Sequence, residues 1–148
     1  MLTKKEILLF WLSVVVTGSA FGGPATLDQP IPGRNYSAFV KSIRDGEERL
    51  SEQERLDLSI AVNYLEVKGR ELNEVRVFEG DYEAYLYGLL RGSSPRKVIL
   101  IAAGMMLAEC AGDTSRNDPE KRTHQRQRYI KELQSRATGW IEYYGKGE

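Results

Sequence analysis

The residues able to do chemistry are few. His124 is the single histidine of the chain and Cys110 the single cysteine. One imidazole cannot assemble the two- and three-histidine sets that hold catalytic zinc. His124 also stands among Arg122, Gln125 and Arg126, where neighbouring positive charge makes it a poor proton acceptor. Cys110 has no second cysteine to pair with in the chain and reads as a small apolar core residue. No phosphate loop, dinucleotide-binding glycine fingerprint or Gly-x-Ser-x-Gly elbow occurs. Catalytic residues, metal ligands and cofactors are therefore all expected to be none. The enzymatic chemistry left open is a pair of carboxylates, with Glu66, Asp81 and Glu83 the acids nearest the predicted core helices. A small carboxylate-dependent hydrolase of the cell envelope is accordingly the alternative reading of function.

Charge offers more. Lys and Arg together number 21, as do Asp and Glu, so no cationic excess exists to displace phosphate counterions, and no nucleic-acid partner is expected. The balance is uneven along the chain. Asp45, Glu47, Glu48, Glu52, Glu54 and Asp57 crowd one stretch, and Lys121, Arg122, Arg126, Arg128 and Lys131 another. Segregation of this kind suits a protein-binding surface, where charge mainly speeds encounter. Lys121, Arg122, Arg126 and Arg128 are the candidate contact residues. Tyr87 and Tyr143 join them, because both lie off the apolar stripes of their helices.

The elements that must position these groups are helical. Residues 1–20 read as an export signal: Lys4 and Lys5, an apolar run from Ile7 to Val16, then small residues to Ala20. The apolar run is short for a bilayer span, so membrane association is expected only if this segment stays uncleaved. Residues 21–34, rich in Gly and Pro, read as an extended N-terminal arm that packs loosely, and residues 35–148 as a single helical domain. Tyr36, Phe39, Val40 and Ile43 mark a first helix. Ser51 and Glu54 form a capping box for a second, which carries Leu56, Ile60, Ala61, Tyr64, Leu65 and Val67 before Gly69 stops it; Leu58 and Val62 widen its face toward two neighbours. Residues 71–80 read as a loop with a helical turn. Asp81 opens a helix bearing Tyr82, Tyr85, Leu86, Leu89 and Leu90, closed by Gly92.

Ser94 and Pro95 then cap a run that is apolar on every side, which marks a buried helix. Asp118 and Pro119 start the last helix, with Tyr129, Ile130, Leu133, Ala137, Trp140, Ile141 and Tyr144 on its apolar stripe. The expected fold is all-α, with about five helices packed around a central buried helix at residues 95–110. Asp at Val98 or at Ile101 is expected to unfold it.

The motifs Leu50-Ser51-x-x-Glu54 and Leu86-x-x-x-Leu90-x-Gly92-x-Ser94-x-x-x-Val98-Ile99-x-x-Ala102 carry a resemblance. In them the chain resembles a family of small exported bacterial lipoproteins of unknown function, over residues 27–108. Leu27-Asp28, Tyr36 to Ser42, Leu50 to Glu54 and Gly92 to Ala102 occupy the corresponding places. The resemblance implies export and a helical fold and assigns no catalytic residue. Family members carry a lipidated cysteine at the cleavage site, and here no cysteine stands near Ala20.

The expectation is thus a periplasmic or secreted helical protein that acts by binding another envelope protein, as an inhibitor, an immunity protein or an accessory factor. Its signal segment is expected to leave a mature chain that begins at Phe21.

Overall fold

A computed structural model describes residues 25–74, 81–113 and 123–147. The stretch expected to be an export signal, most of the expected 71–80 loop, the expected helix start at Asp118-Pro119, Lys121 and Arg122 lie outside the described residues. Among those described, six helices follow in order: α1 (Ala25–Asp28), α2 (Tyr36–Gly46), α3 (Glu52–Glu74), α4 (Tyr82–Leu90), α5 (Pro95–Gly112) and α6 (His124–Tyr144). A 3₁₀ turn, Glu47–Arg49, follows α2, and another, Gly145–Gly147, follows α6. The fold is all-α, and α5 is its centre, packed against α3, α6 and α1.

The helices start where side-chain oxygens can satisfy orphan N–H groups. At α3 the Glu54 N–H donates to Ser51 Oγ (3.2 Å) and the Ser51 N–H to Glu54 Oε2 (2.8 Å), the reciprocal box. Ser94 and Pro95 open α5, with the Lys97 N–H on Ser94 Oγ at 3.3 Å. Asp81 caps α4. Asn35 caps α2 in the same way, and Thr123 accepts from the Arg126 N–H at 3.1 Å to start α6. The described part of α6 thus begins from its own cap at Thr123, five residues beyond Asp118 in the chain. After α4, Gly92 takes the left-handed conformation (φ 75°) that a turn out of a helix requires.

Burial on α5 follows one stripe. Pro95, Val98, Ile99, Ala102, Ala103 and Met106 are buried, while Leu100, Ile101, Met105 and Leu107 are half-buried and Gly104 is exposed. The helix is therefore not enclosed on every side: α3 and α6 cover one face, and small Ala102 and Ala103 let them approach closely. Burying a residue the size of Val98, Ile99 or Met106 contributes about 1.5–3 kcal/mol each.

On α3 the core stripe is Leu58, Ala61 and Leu65, with steps of three and four. Leu56 and Val67, expected in the core, are 54% and 42% exposed. The two lie on a neighbouring stripe, rotated away from α5. Nor does Gly69 end this helix, which runs five residues further to Glu74. Gly69 is buried because α4 crosses there: a Cβ on it would sit 3.3 Å from Leu86 Cγ. On α6, Ile130, Leu133, Ala137, Trp140 and Tyr144 are buried, whereas Tyr129 and Ile141 flank the stripe and are exposed.

The arm expected to lie loose is docked along residues 25–34. Leu27 and Ile31 are buried in the core. The Ile31 N–H donates to Ser93 O (2.9 Å), Arg96 Nε to Asp28 Oδ1 (2.5 Å), and the Tyr87 hydroxyl to Gly33 O (2.8 Å). Proline supplies no donor of its own, so the arm is held by the few groups that reach it. A Cβ at Gly33 would lie 2.6 Å from the Phe39 backbone nitrogen. Gly33→Ala is therefore expected to push the arm off α2 at a cost of about 1–3 kcal/mol, the range for overpacking. A thermal melt checks this, and an unchanged melting temperature would show that the arm yields without loss.

Candidate functional site

Helices α3 and α6 both pack on α5 and run antiparallel to each other. Asp57 near the start of α3 meets Tyr144 at the end of α6, and Tyr64 further along α3 shares Glu109 with Tyr129 near the start of α6. Around the second of these fastenings the helices part and leave a groove. Ile60, Tyr64 and Val67 line it on the α3 side, Tyr129 and Leu133 on the α6 side, and Met106 of α5 lies between them. Lys68, Arg136, Glu132 and Asn63 supply the polar lining, and the open volume is about 340 Å³. From Ile60 to Lys68 the groove follows just over two turns of α3, about 12 Å at 1.5 Å per residue.

The Asp57 fastening is a buried bond. The Tyr144 hydroxyl donates to Asp57 Oδ2 at 2.7 Å, and Gln53 Nε2 donates to Oδ1 at 3.0 Å. Burial and the carboxylate together push the Tyr144 phenol well above its ordinary value.

At the other fastening Glu109 of α5 gathers four groups. The Tyr64 hydroxyl donates at 2.8 Å, the Tyr129 hydroxyl at 3.2 Å and Lys68 Nζ at 3.0 Å, and Arg126 stands 4.0 Å away. Burial alone would raise the Glu109 carboxyl, but the hydrogen bonds from Tyr64, Lys68 and Tyr129 outweigh it and hold the group below its usual range. The same contacts raise the Tyr64 and Tyr129 phenols, burial being the first cause in both. Lys68 is raised as well: its burial opposes this, and hydrogen bonds to Glu71 and Glu109 prevail.

A carboxyl held low and phenols held high do not exchange protons near neutral pH, which is what general acid–base work needs. The cluster instead fixes charge in place and ties α3, α5 and α6 together at the mouth of the groove. Among the described residues no group of three or more His, Cys, Asp or Glu side chains is placed to hold a metal ion. No described helix is long and apolar enough to cross a membrane.

The residues singled out from sequence do not form one patch. Arg126 is half-buried, 3.5 Å from Asp113 and stacked over Tyr129 at 5.4 Å. Arg128 is exposed. Tyr143 is 66% exposed, edge-on to Tyr144, but lies seventeen residues along α6 from Arg126, about 25 Å. Tyr87 is half-buried and spends its hydroxyl on the arm, so it is a structural residue and not an exposed contact. His124 is the exposed first residue of α6, and Cys110 is half-buried with Sγ 3.6 Å from Ile130 O.

Sequence reasoning missed the groove because it assigned both apolar stripes of α3 to the core. The signal was present: Leu56, Ile60, Tyr64 and Val67 recur at steps of four, four and three beside the stripe of Leu58, Ala61 and Leu65. One helix with two apolar stripes needs two neighbours, and α6 only partly covers the second. No family model, curated protein or solved structure matches the chain.

Proposed function

We propose that the protein acts by binding another protein, and that the groove between α3 and α6 receives an amphipathic helix of that partner. The observation carrying this reading is the apolar channel from Ile60 to Val67, two turns of α3, open to solvent and flanked by polar fastenings. Its length matches a helix presenting anchors at i, i+3, i+4 and i+7. Of the charged residues that line the groove, Lys68 and Arg136 outnumber Glu132, so the partner helix is acidic along the edge that meets them. The export-like N-terminal stretch supports a partner in the cell envelope, and an inhibitor, immunity protein or assembly factor there is the concrete form of this reading.

The test uses the full chain as bait against the envelope fraction of the source organism. Wild-type protein retains one partner at low salt and less of it as salt rises, since exposed charges are screened. Val67→Glu puts a charge on the groove wall at an already exposed position, so the fold survives, and retention is expected to fall at least tenfold, about 1.4 kcal/mol. Leu89→Glu, on exposed α4 surface outside the groove, leaves retention unchanged. A partner held equally well by Val67→Glu, or none held at low salt, would overturn the reading. Intact mass of the protein from cells tests the compartment separately, the expected chain beginning at Phe21.

A further inference from the structure

A second pocket shares no lining residue with the groove. It lies where the docked arm meets α2 and the start of α3, with an open volume of about 330 Å³. Its apolar wall is made by Ile31, Ile43, Leu50 and Leu58, all buried in the core. Two charged side chains line it as well, Asp45 and Arg49. Four residues apart on one α-helix they would pair. Here α2 ends at Gly46 and the 3₁₀ turn Glu47–Arg49 changes the register, and neither makes an ion pair or hydrogen bond through its side chain among the described residues. An acid and a base thus line one apolar pocket without neutralising each other.

We propose that this pocket binds a small zwitterion with an apolar side chain, the chemistry of a free apolar α-amino acid or a dipeptide. The side chain enters among Ile31, Ile43, Leu50 and Leu58, the ammonium meets Asp45, and the carboxylate meets the Arg49 guanidinium, whose fork matches it in two parallel bonds. The volume equals the share of about eleven liquid waters, enough for one such side chain and its backbone, and lies at the small end of ligand pockets. The Ile31 N–H bond to Ser93 O and the Tyr87 bond to Gly33 O hold the arm in place before any ligand arrives, which reduces the ordering cost of binding.

The test is an amide-resolved NMR titration of the full chain with L-leucine and L-leucyl-L-leucine. Two truncated probes accompany them: 4-methylpentanoate, which lacks the ammonium, and 3-methylbutylamine, which lacks the carboxylate. Saturable shifts at Ile31, Ile43, Gly46 and Leu50 are expected with a zwitterion at millimolar concentration or below, and the tighter of the two identifies amino acid or peptide. Each truncated probe is expected to bind at least tenfold more weakly. Arg49→Gln weakens leucine tenfold and leaves 3-methylbutylamine unchanged, and Asp45→Asn weakens leucine likewise and leaves 4-methylpentanoate unchanged. Both positions are exposed, so both variants fold. No saturable shift with either zwitterion, or truncated probes binding as well as leucine, would overturn the proposal. The groove variant Val67→Glu is expected to titrate like wild type, so the two sites fail or stand separately.

Discussion

Val98→Asp is expected to abolish the cooperative thermal transition and leave a chain without stable helical packing. Val98 is fully buried, 0% exposed, on the helix that α1, α3 and α6 share. Asp there loses the transfer energy of the valine and places a carboxylate within the apolar core. A buried charge without a partner costs several kcal/mol, and a domain of this size holds about 5–15 kcal/mol in all. Val98→Ala separates the two contributions. It removes methyl groups but adds no charge, and is expected to cost about 1–3 kcal/mol and to melt cooperatively at lower temperature. Ile101→Asp differs from what its sequence context suggests: Ile101 is half-buried, so its carboxylate can turn to water, and this variant is expected to fold with reduced stability. A Val98→Asp protein with a wild-type melting temperature would contradict the central place given to α5.

The difference between Val98 and Ile101 shows what was legible in the chain. Caps are local: Ser51 with Glu54, Ser94 with Pro95, and Asp81 act on N–H groups within three residues, so their spacing alone announces them. Periodicity is local too, and the buried stripes of α5 and α6 follow it. Which of two stripes faces a neighbour is not a local property. On α3 the choice between Leu58-Ala61-Leu65 and Leu56-Ile60-Val67 depends on where α5 and α6 lie, and the groove exists because of that choice. Gly69 has the same lesson. As a helix stop it is plausible from composition, but the approach of Leu86 is what a side chain there would obstruct. The arm was illegible for a third reason: its prolines argue against regular structure and say nothing about docking, which rests on partners sixty or so residues away, such as Asp28 with Arg96.

Raising the pH past 10 is expected to unfold the domain, with phenolate appearing in step with loss of helix. Three phenol–carboxylate bonds fasten α3 to its neighbours: Tyr36 to Glu66 at 2.8 Å toward α2, Tyr64 to Glu109 at 2.8 Å toward α5, and Tyr144 to Asp57 at 2.7 Å toward α6. In each, burial first and the accepting carboxylate second hold the phenol above its unfolded value, which is about 10. A group raised by folding contributes fully below its unfolded pKa. Above it the unfolded chain gives up the proton while the native state keeps it, and stability falls by about 1.4 kcal/mol per pH unit for each such phenol. The three together therefore steepen the loss between pH 10 and the values they hold when folded.

Tyr144→Phe isolates one of them. Asp57 is 6% exposed and would keep only the Gln53 bond, so the variant is expected to lose about 1.5–3 kcal/mol at neutral pH, the range for a hydrogen bond to a charged group. Its stability should also decline less steeply in alkali than that of the wild type, by one proton's worth. Circular dichroism and phenolate absorbance, followed together across alkaline pH, read both quantities. If Tyr36, Tyr64 and Tyr144 ionised near pH 10 with the helices intact, these bonds would not be what fastens α3. The Asp57 bond joins α3 to α6 directly, and the Glu109 cluster contributes Tyr64, Lys68 and Tyr129 to the groove lining, so the chemistry that makes the fold sensitive to alkali also fixes α3 and α6 at the spacing the groove requires.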